Sequence, residues 1–378
     1  MDKKRILYVI TQSEMGGAQL YLYDLATSSE AQNFDITVAI GKEGDGTLNA
    51  KLAEKNITVI ELKHLVRPIS PIQDIAGIFE LKKIIKELQP DIIHLNSTKA
   101  SIIGSLASLF IYVIRHKLVY TVHGWAFNES LNPIKKKIYL LAEKLTARTK
   151  DLIICVSEFD RQAGINKKVT KEDKLITITN GVEANKTDFL SKEEAKKELT
   201  IPKDRIIIGT IANFYSTKGL EYFIGALNTL AIKWRLPVTG VIIGDGKLKG
   251  KLKNLKNNYG LGDHLIFTGI KDNAVKYLKA YDIYVCSSVK EGFPYSILEA
   301  MSAKLPIVST DVGGIPEIIE NEKNGILTGP KNSLGLAKNI KILMDNKEYG
   351  DKLATEANQR VKEEFSKKQM IEKTYSNY

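Results

Sequence analysis

Cysteine is nearly absent from the chain: Cys155 and Cys286 are the two it has in 378 residues. Each sits inside an apolar run, DLIICVS and DIYVCSS. Two such thiols cannot build a disulfide framework or a zinc site of the usual kind, so both are expected as core residues in a reducing compartment. Long hydrophobic runs are missing as well. The longest mostly apolar stretch, Ile102 to Ile114, has 13 residues, short of the 18 or more that a spanning helix needs, and is expected as a core helix. At the start of the chain only Ile6 to Ile10 are apolar, too few for the hydrophobic region of a signal peptide. A soluble or peripheral, cytoplasmic protein is expected. A disordered chain, a collagen and a disulfide-stapled scaffold are excluded by the 43% of hydrophobic and 26% of charged residues, which are near the globular average. The length predicts two or three domains.

Acidic residues are in deficit. Lys plus Arg number 55 against 44 for Asp plus Glu, a net charge of +11, which favours anionic partners. Over residues 1–180 there are 25 basic and 20 acidic side chains, a surplus of five, and Pro133 to Lys150 alone has six bases and one acid. Read as a helix, that segment puts Ile134, Ile138, Leu141 and Leu145 on one stripe, flanked by Lys137, Lys144 and Arg148. Such a helix can lie on anionic lipid headgroups; the alternative is an ordinary domain helix with a solvated basic flank. No aromatic-interleaved basic stripe or reader motif points to nucleic acid.

Short β-rich runs alternate with helical patterns. The first half offers strands at Arg5–Ile10, Asp35–Ile40, Ile57–Leu62, Asp91–Leu95, Leu118–Val122, Leu152–Val156 and Leu175–Thr179, with helices such as Gln73–Leu88 and Pro133–Ala147 between some of them. Near-continuous Val/Ile/Leu runs are what a parallel sheet covered on both faces requires. Glu183 to Arg205 is polar and breaks the rhythm, placing a linker at Glu183–Asn185. A second series follows at Ile206–Ala212, Val238–Ile243, Leu265–Thr268, Ile283–Cys286 and Pro306–Ser309, then a turn at Asn324–Gly325. The expected domains are 1–184 and 185–362, both Rossmann-like α/β, facing each other across a cleft. A C-terminal helix in 363–378 would pack back on the first domain. Ligands are expected at the carboxyl ends of the strands.

Chemistry-bearing residues cluster at those ends. Gly16 and Gly17 are expected to form a tight turn before a helix starting near Ala18, where unpaired N–H groups and the helix dipole favour an anion. The turn is not a GxGxxG fingerprint, which argues against a nicotinamide dehydrogenase. In the second domain Lys218 precedes Gly219 at the top of a helix and could meet phosphate oxygens, although alone it would read as a surface lysine. Gly244-Asp245-Gly246 makes another turn on that edge. Most informative is EGFPYSILE: Glu291 leaves a strand, Gly292-Phe293-Pro294 turns, and a helix, with Pro294 in its first turn, brings Glu299 eight positions later. Gly313-Gly314-Ile315-Pro316-Glu317 follows the last long strand.

In this order, GGAQLYLYDLA, TVHGW, NGV, STKG, IGDG, EGFPYSILEA and GGIPE resemble the retaining glycosyltransferases of family 4, with similarity over nearly the whole length. The resemblance implies the GT-B fold and transfer of a sugar from a nucleotide diphosphate donor, a UDP-sugar by preference, to a glycan or lipid-linked acceptor in bacterial envelope or exopolysaccharide synthesis. It implies that Glu299 holds the ribose hydroxyls. Glu291 would lie by the donor sugar, with Gly292, Phe293 and Pro294 contacting sugar and phosphate. Lys218 would neutralise the diphosphate, Gly17 would bring amides to it, and His123 would stand beside the reacting sugar. Family members often carry arginine five positions before the lysine; Asn213 occupies that place here, so either Lys218 and backbone amides suffice for the diphosphate or another cation compensates. No Asp-x-Asp occurs, and metal independence and no cofactor are expected. A non-catalytic sugar-nucleotide-binding partner of another transferase, or an epimerase of the same fold, are the alternative readings.

Overall fold

The computed structural model describes residues 3–109, 116–129, 131–185 and 188–378. Its chain forms two compact units, one of residues 1–180 with 369–378 and one of residues 181–368. The change of unit falls at Asn180/Gly181 rather than 184/185. The reason is local: Val182 bridges Ser366 and its N–H donates to the Phe365 carbonyl (2.9 Å), which ties the residue just before the expected linker to the second unit.

The first unit begins with β1 (Lys4–Gln12), α1 (Gly17–Ala26), β2 (Phe34–Glu43), α2 (Thr47–Ala53) and β3 (Thr58–Leu62). It continues with α3 (Pro71–Leu88), β4 (Ile92–Leu95), α4 (Thr98–Leu109), β5 (Lys117–Val122), α5 (Pro133–Thr146), β6 (Leu152–Cys155), α6 (Glu158–Asn166) and β7 (Leu175–Thr177). The strands make a parallel sheet in the order β3-β2-β1-β4-β5-β6-β7. Ile6 to Ile10 of β1, and all of β4 and β6, are buried because helices cover both faces. The apolar stretch expected as one helix is α4 as far as Leu109; positions 110–114 lie outside the described residues.

The second unit contains α7 (Lys192–Glu198), β8 (Ile206–Ile211), α8 (Leu220–Leu227), β9 (Val238–Ile243), α9 (Lys249–Asn258), β10 (Leu265–Gly269) and β11 (Ile283–Cys286). Then come α10 (Tyr295–Ser302), β12 (Ile307–Thr310), α11 (Ile315–Ile318), β13 (Ile326–Thr328), α12 (Ser333–Asp345) and α13 (Lys347–Glu364). Its sheet is parallel in the order β10-β9-β8-β11-β12-β13. Two of these elements go against the sequence pattern or fall below it. α7 lies in the polar stretch and is held by a capping box between Ser191 and Glu194. β13, three residues long, directly follows the Asn324–Gly325 turn.

Helix α14 (Lys367–Tyr375) returns to the first unit. Its Thr374 hydroxyl meets the Tyr21 hydroxyl (3.3 Å), and Tyr375 stacks obliquely on Phe34 at 5.2 Å. In each sheet the strand order reverses beside the first strand, between β1 and β4 and between β8 and β11. In open α/β sheets, ligands bind outside the carboxyl ends of the strands at such a reversal point.

Candidate active site

At the second unit's reversal point, the loops after β8 and β11 are stitched together. The Val289 N–H donates to the Thr217 carbonyl (2.8 Å), and the Ser287 hydroxyl to the Lys218 carbonyl (3.1 Å). Gly219, in the left-handed region at φ +56°, is required there: a Cβ would lie 2.2 Å from the Ser287 carbonyl oxygen. This clamp puts the Lys218 ammonium 2.7 Å from Oε1 of Glu291, and the Ser288 hydroxyl donates to the same oxygen at 2.6 Å. Burial acts to lower the Lys218 pKa, but the Glu291 charge and hydrogen bond outweigh it, and the net direction is upward. The cation therefore persists through the physiological range. An ammonium has three donors and Glu291 takes one.

The turn after Glu291 is locked from the β12 side. Gly313, at φ +59°, brings its backbone so close that a Cβ would sit 1.8 Å from the Glu291 carbonyl oxygen. The Gly314 N–H donates to the Gly292 carbonyl (3.0 Å). Phe293 is buried edge-on against Phe365 at 5.3 Å. Pro294 is not in the first helical turn, as the sequence suggested. Its ψ of 120° keeps it extended, and it caps α10, which starts at Tyr295. Glu299 stands partly buried on α10. The neighbouring Tyr284 phenol is pushed up first by burial and then by Cys286, with a smaller push from the Glu299 carboxylate.

Asn213 and Gly244 lie on adjoining loops of the same edge. Gly244 has φ +139°, and a Cβ there would fall 2.1 Å from the Ala212 carbonyl oxygen. The Phe214 N–H donates to the Asp245 carbonyl at 2.8 Å, joining the two loops. The structure thus gathers Lys218, Glu291 and the Gly292–Pro294 turn at one point, with Asn213 on the same loop as Lys218 and Gly244 one strand further along the edge.

In the first unit the glycine pair does not form a tight turn. Gly16 is extended (φ −152°, ψ −175°), and the helix begins at Gly17 rather than Ala18. Gly17 is exposed, so the first amides of α1 are accessible. Tyr21, one turn on, packs edge-on against His123 with ring centroids 5.0 Å apart. Burial pushes His123 down to about 3, so its imidazole is neutral at physiological pH. Its Nε2 is buried and has no partner among the described residues.

Residues that sequence reasoning missed hold this place in order. His94, at the end of β4, is fully buried with Nδ1 2.5 Å from the Tyr378 hydroxyl and Nε2 2.7 Å from the Thr121 hydroxyl. Thr121 donates in turn to the Tyr21 hydroxyl (3.3 Å). Burial, with His123 nearby, pushes His94 down to about 3. Ser288 was also missed, although the Ser-Ser pair directly after β11 marked a polar strand end. On α5, Lys137 is exposed and Lys144 partly so, and Arg148, just beyond the helix end, is exposed.

Comparison with known proteins decides the family. Residues 15–186 match the family model described as Glycosyltransferase Family 4, and residues 191–360 the one described as Glycosyl transferases group 1. The chain belongs to the family 4, group 1 glycosyltransferases. It is 28% identical over 300 residues to an Escherichia coli UDP-Gal:alpha-D-GlcNAc-diphosphoundecaprenol alpha-1,3-galactosyltransferase, covering 78% of this chain and 76% of that protein. It is 29% identical over 330 residues to the E. coli O-antigen biosynthesis glycosyltransferase WbnH, covering 86% of each. Among solved structures, Anabaena HepE in complex with UDP and glucose superposes with a TM-score of 0.86 at 23% identity, over 99% of both chains. WaaG, a glycosyltransferase involved in lipopolysaccharide biosynthesis, has a TM-score of 0.78 at 15% identity, over 98% of this chain and 99% of that one. These likenesses establish the GT-B fold.

Proposed function

We propose that the protein transfers a hexose from a UDP-sugar, with retention at the anomeric carbon and without a metal, to a lipid-linked or glycan acceptor in bacterial envelope or exopolysaccharide synthesis. The observation that carries this reading is the Lys218–Glu291 pair at the sheet-reversal point of the second unit, 2.7 Å apart and fixed by Ser288. The galactosyltransferase relative uses UDP-Gal and a diphosphoundecaprenol acceptor by name, and HepE binds UDP with glucose, which supports the donor class.

In this account the second domain holds the donor and the first receives the acceptor. As the bond between sugar and diphosphate breaks, negative charge builds on the leaving group. Lys218 offers it a preformed cation, and the amides of the Gly292–Pro294 turn offer dipoles, the kind of electrostatic stabilisation that dominates such steps. Glu299 grips the ribose hydroxyls, with Asn213 and Gly244 lining the nucleotide side. Glu291, relieved of part of its pairing by the arriving phosphate, faces the positive charge that develops at the anomeric carbon. Neutral His123 serves as a hydrogen-bond partner for a sugar hydroxyl rather than as a proton donor. Lys137, Lys144 and Arg148 hold the enzyme on the inner, anionic face of the cell membrane, where a lipid-linked acceptor would be met.

A thermal-shift screen of nucleotide sugars identifies the donor, because a ligand of the folded state raises apparent stability. Product NMR with the selected UDP-α-hexose should give an α-linkage, and chelator should leave the rate unchanged. A β-linked product, or activity lost to chelator and restored by a divalent cation, contradicts the corresponding part of the proposal.

A further inference from the structure

Helix α5 has a mixed inward side, where Tyr139 and Leu140 pack on the core. Its inward side presents Glu143 and Thr146, which are met by Lys150 beyond the helix end: the fully buried Lys150 ammonium lies 3.5 Å from Glu143 Oε2 and 2.9 Å from the Thr146 hydroxyl. Tyr120 adds its hydroxyl to Glu143 at 3.3 Å. The apolar stripe instead faces outward, with Ile134 68% and Leu141 59% exposed. The helix thus carries a second apolar stripe, Ile134, Ile138, Leu141 and Leu145, on the side away from the core, which an ordinary amphipathic helix would leave polar.

Helix α3 buries Leu81 and Ile85 in the core and also carries apolar side chains outward. Ile72 and Phe79, a helical stripe with Ile75, are 81% and 63% exposed. Both helices pack against α4, and Tyr139 of α5 is within electrostatic reach of Asp74 of α3. The two stripes therefore belong to one face of the first unit. Exposed apolar surface on this scale marks an interaction site.

Charge selects the occupant. The acids of both helices are turned to other partners: Asp74 to Lys99, Glu80 to the Lys63 and His64 amides, Glu87 to Lys83, and Glu143 to Lys150. The exposed Lys137 and Arg148 remain beside the apolar stripe. A second copy would oppose base to base, whereas an anionic bilayer offers both hydrocarbon and countercharge. We propose that the outer face of α3 and α5 docks on an anionic membrane by inserting its apolar side chains at the headgroup boundary. This rests on the reading of α5 as a membrane-contact helix and extends it to α3 and to apolar insertion.

The test is co-flotation of the full chain with phosphatidylcholine vesicles, with and without phosphatidylglycerol, at low and high salt. Wild type should require phosphatidylglycerol and keep a salt-resistant fraction. I72S/F79S on α3 and, separately, I138S/L141S on α5 should each weaken binding about tenfold or more, and the salt-resistant fraction should vanish. Serine variants that float like wild type, or a wild type that dimerises through this face and ignores vesicles, would overturn the proposal. The UDP-induced thermal shift of I72S/F79S reports that the variant is folded. A wild type that floats but never responds to UDP or UDP-sugars would support the docking surface while contradicting the donor assignment, so the two failures are distinguishable.

Discussion

An ammonium and a carboxylate that are partly buried together depend on one another, and removing one leaves the other unpaired and desolvated. Lys218→Ala should therefore lower turnover by about two orders of magnitude, the scale seen when one electrostatic stabiliser of a developing anion is lost. Steady-state release of UDP measures it, and an unchanged rate would remove Lys218 from the site. Glu299→Ala should weaken UDP binding by about tenfold, the scale of one charge-assisted hydrogen bond, with turnover of bound donor less affected; calorimetric titration with UDP checks this. His94 and His123 carry a different signature. Both are pushed down to about 3 in the folded chain, from an ordinary value near 6.5. Between those pH values the unfolded chain binds protons that the native one refuses, so stability falls as pH is lowered through that window. The slope is about 1.4 kcal/mol per pH unit for each histidine. Urea unfolding at pH 7 and pH 5 should show the loss, and His94→Gln should make the pH dependence shallower. Equal stability at both pH values would contradict the burial argument. Lys218 and Glu291 could be picked out in the sequence because they sit beside glycine turns at strand ends. His94 could not, since its environment depends on Tyr378, far along the chain, and a lone histidine in an apolar run has no local signal.

At the scale of elements, strands buried on both faces announce themselves as Ile/Val runs, and the twelve expected from the sequence all form with small shifts at their ends. β13 escaped because three residues are too few for a pattern. α7 escaped because a short exposed helix has no apolar stripe, although its capping box was present as Ser191 and Glu194. Ser191→Ala should cost about 1 kcal/mol of stability, read from the urea midpoint. Gly313→Ala should cost more, through backbone strain at φ +59° and a clash with the Glu291 carbonyl. It should also lower turnover by displacing the Glu291 loop, and thermal melting alongside rates separates the two effects. The orientation of α5 was not legible: its stripe and basic flank are visible in sequence, but which side meets the core depends on the Glu143–Lys150 pair beneath it.

Over the whole molecule, two sheets with reversed strand order each place their loops at a carboxyl edge, and each unit has its own core. The family motifs fall on those edges, which is why the fold and the class of chemistry could be read from the chain, while the acceptor could not. The most direct measurement is transfer from a UDP-hexose by purified wild type and by Glu291→Gln, with UDP affinity determined in parallel. The account predicts a steady wild-type rate, a loss of about a hundredfold or more in the variant, and UDP affinity within a few-fold of wild type. A Glu291→Gln enzyme that transfers sugar at the wild-type rate would contradict it.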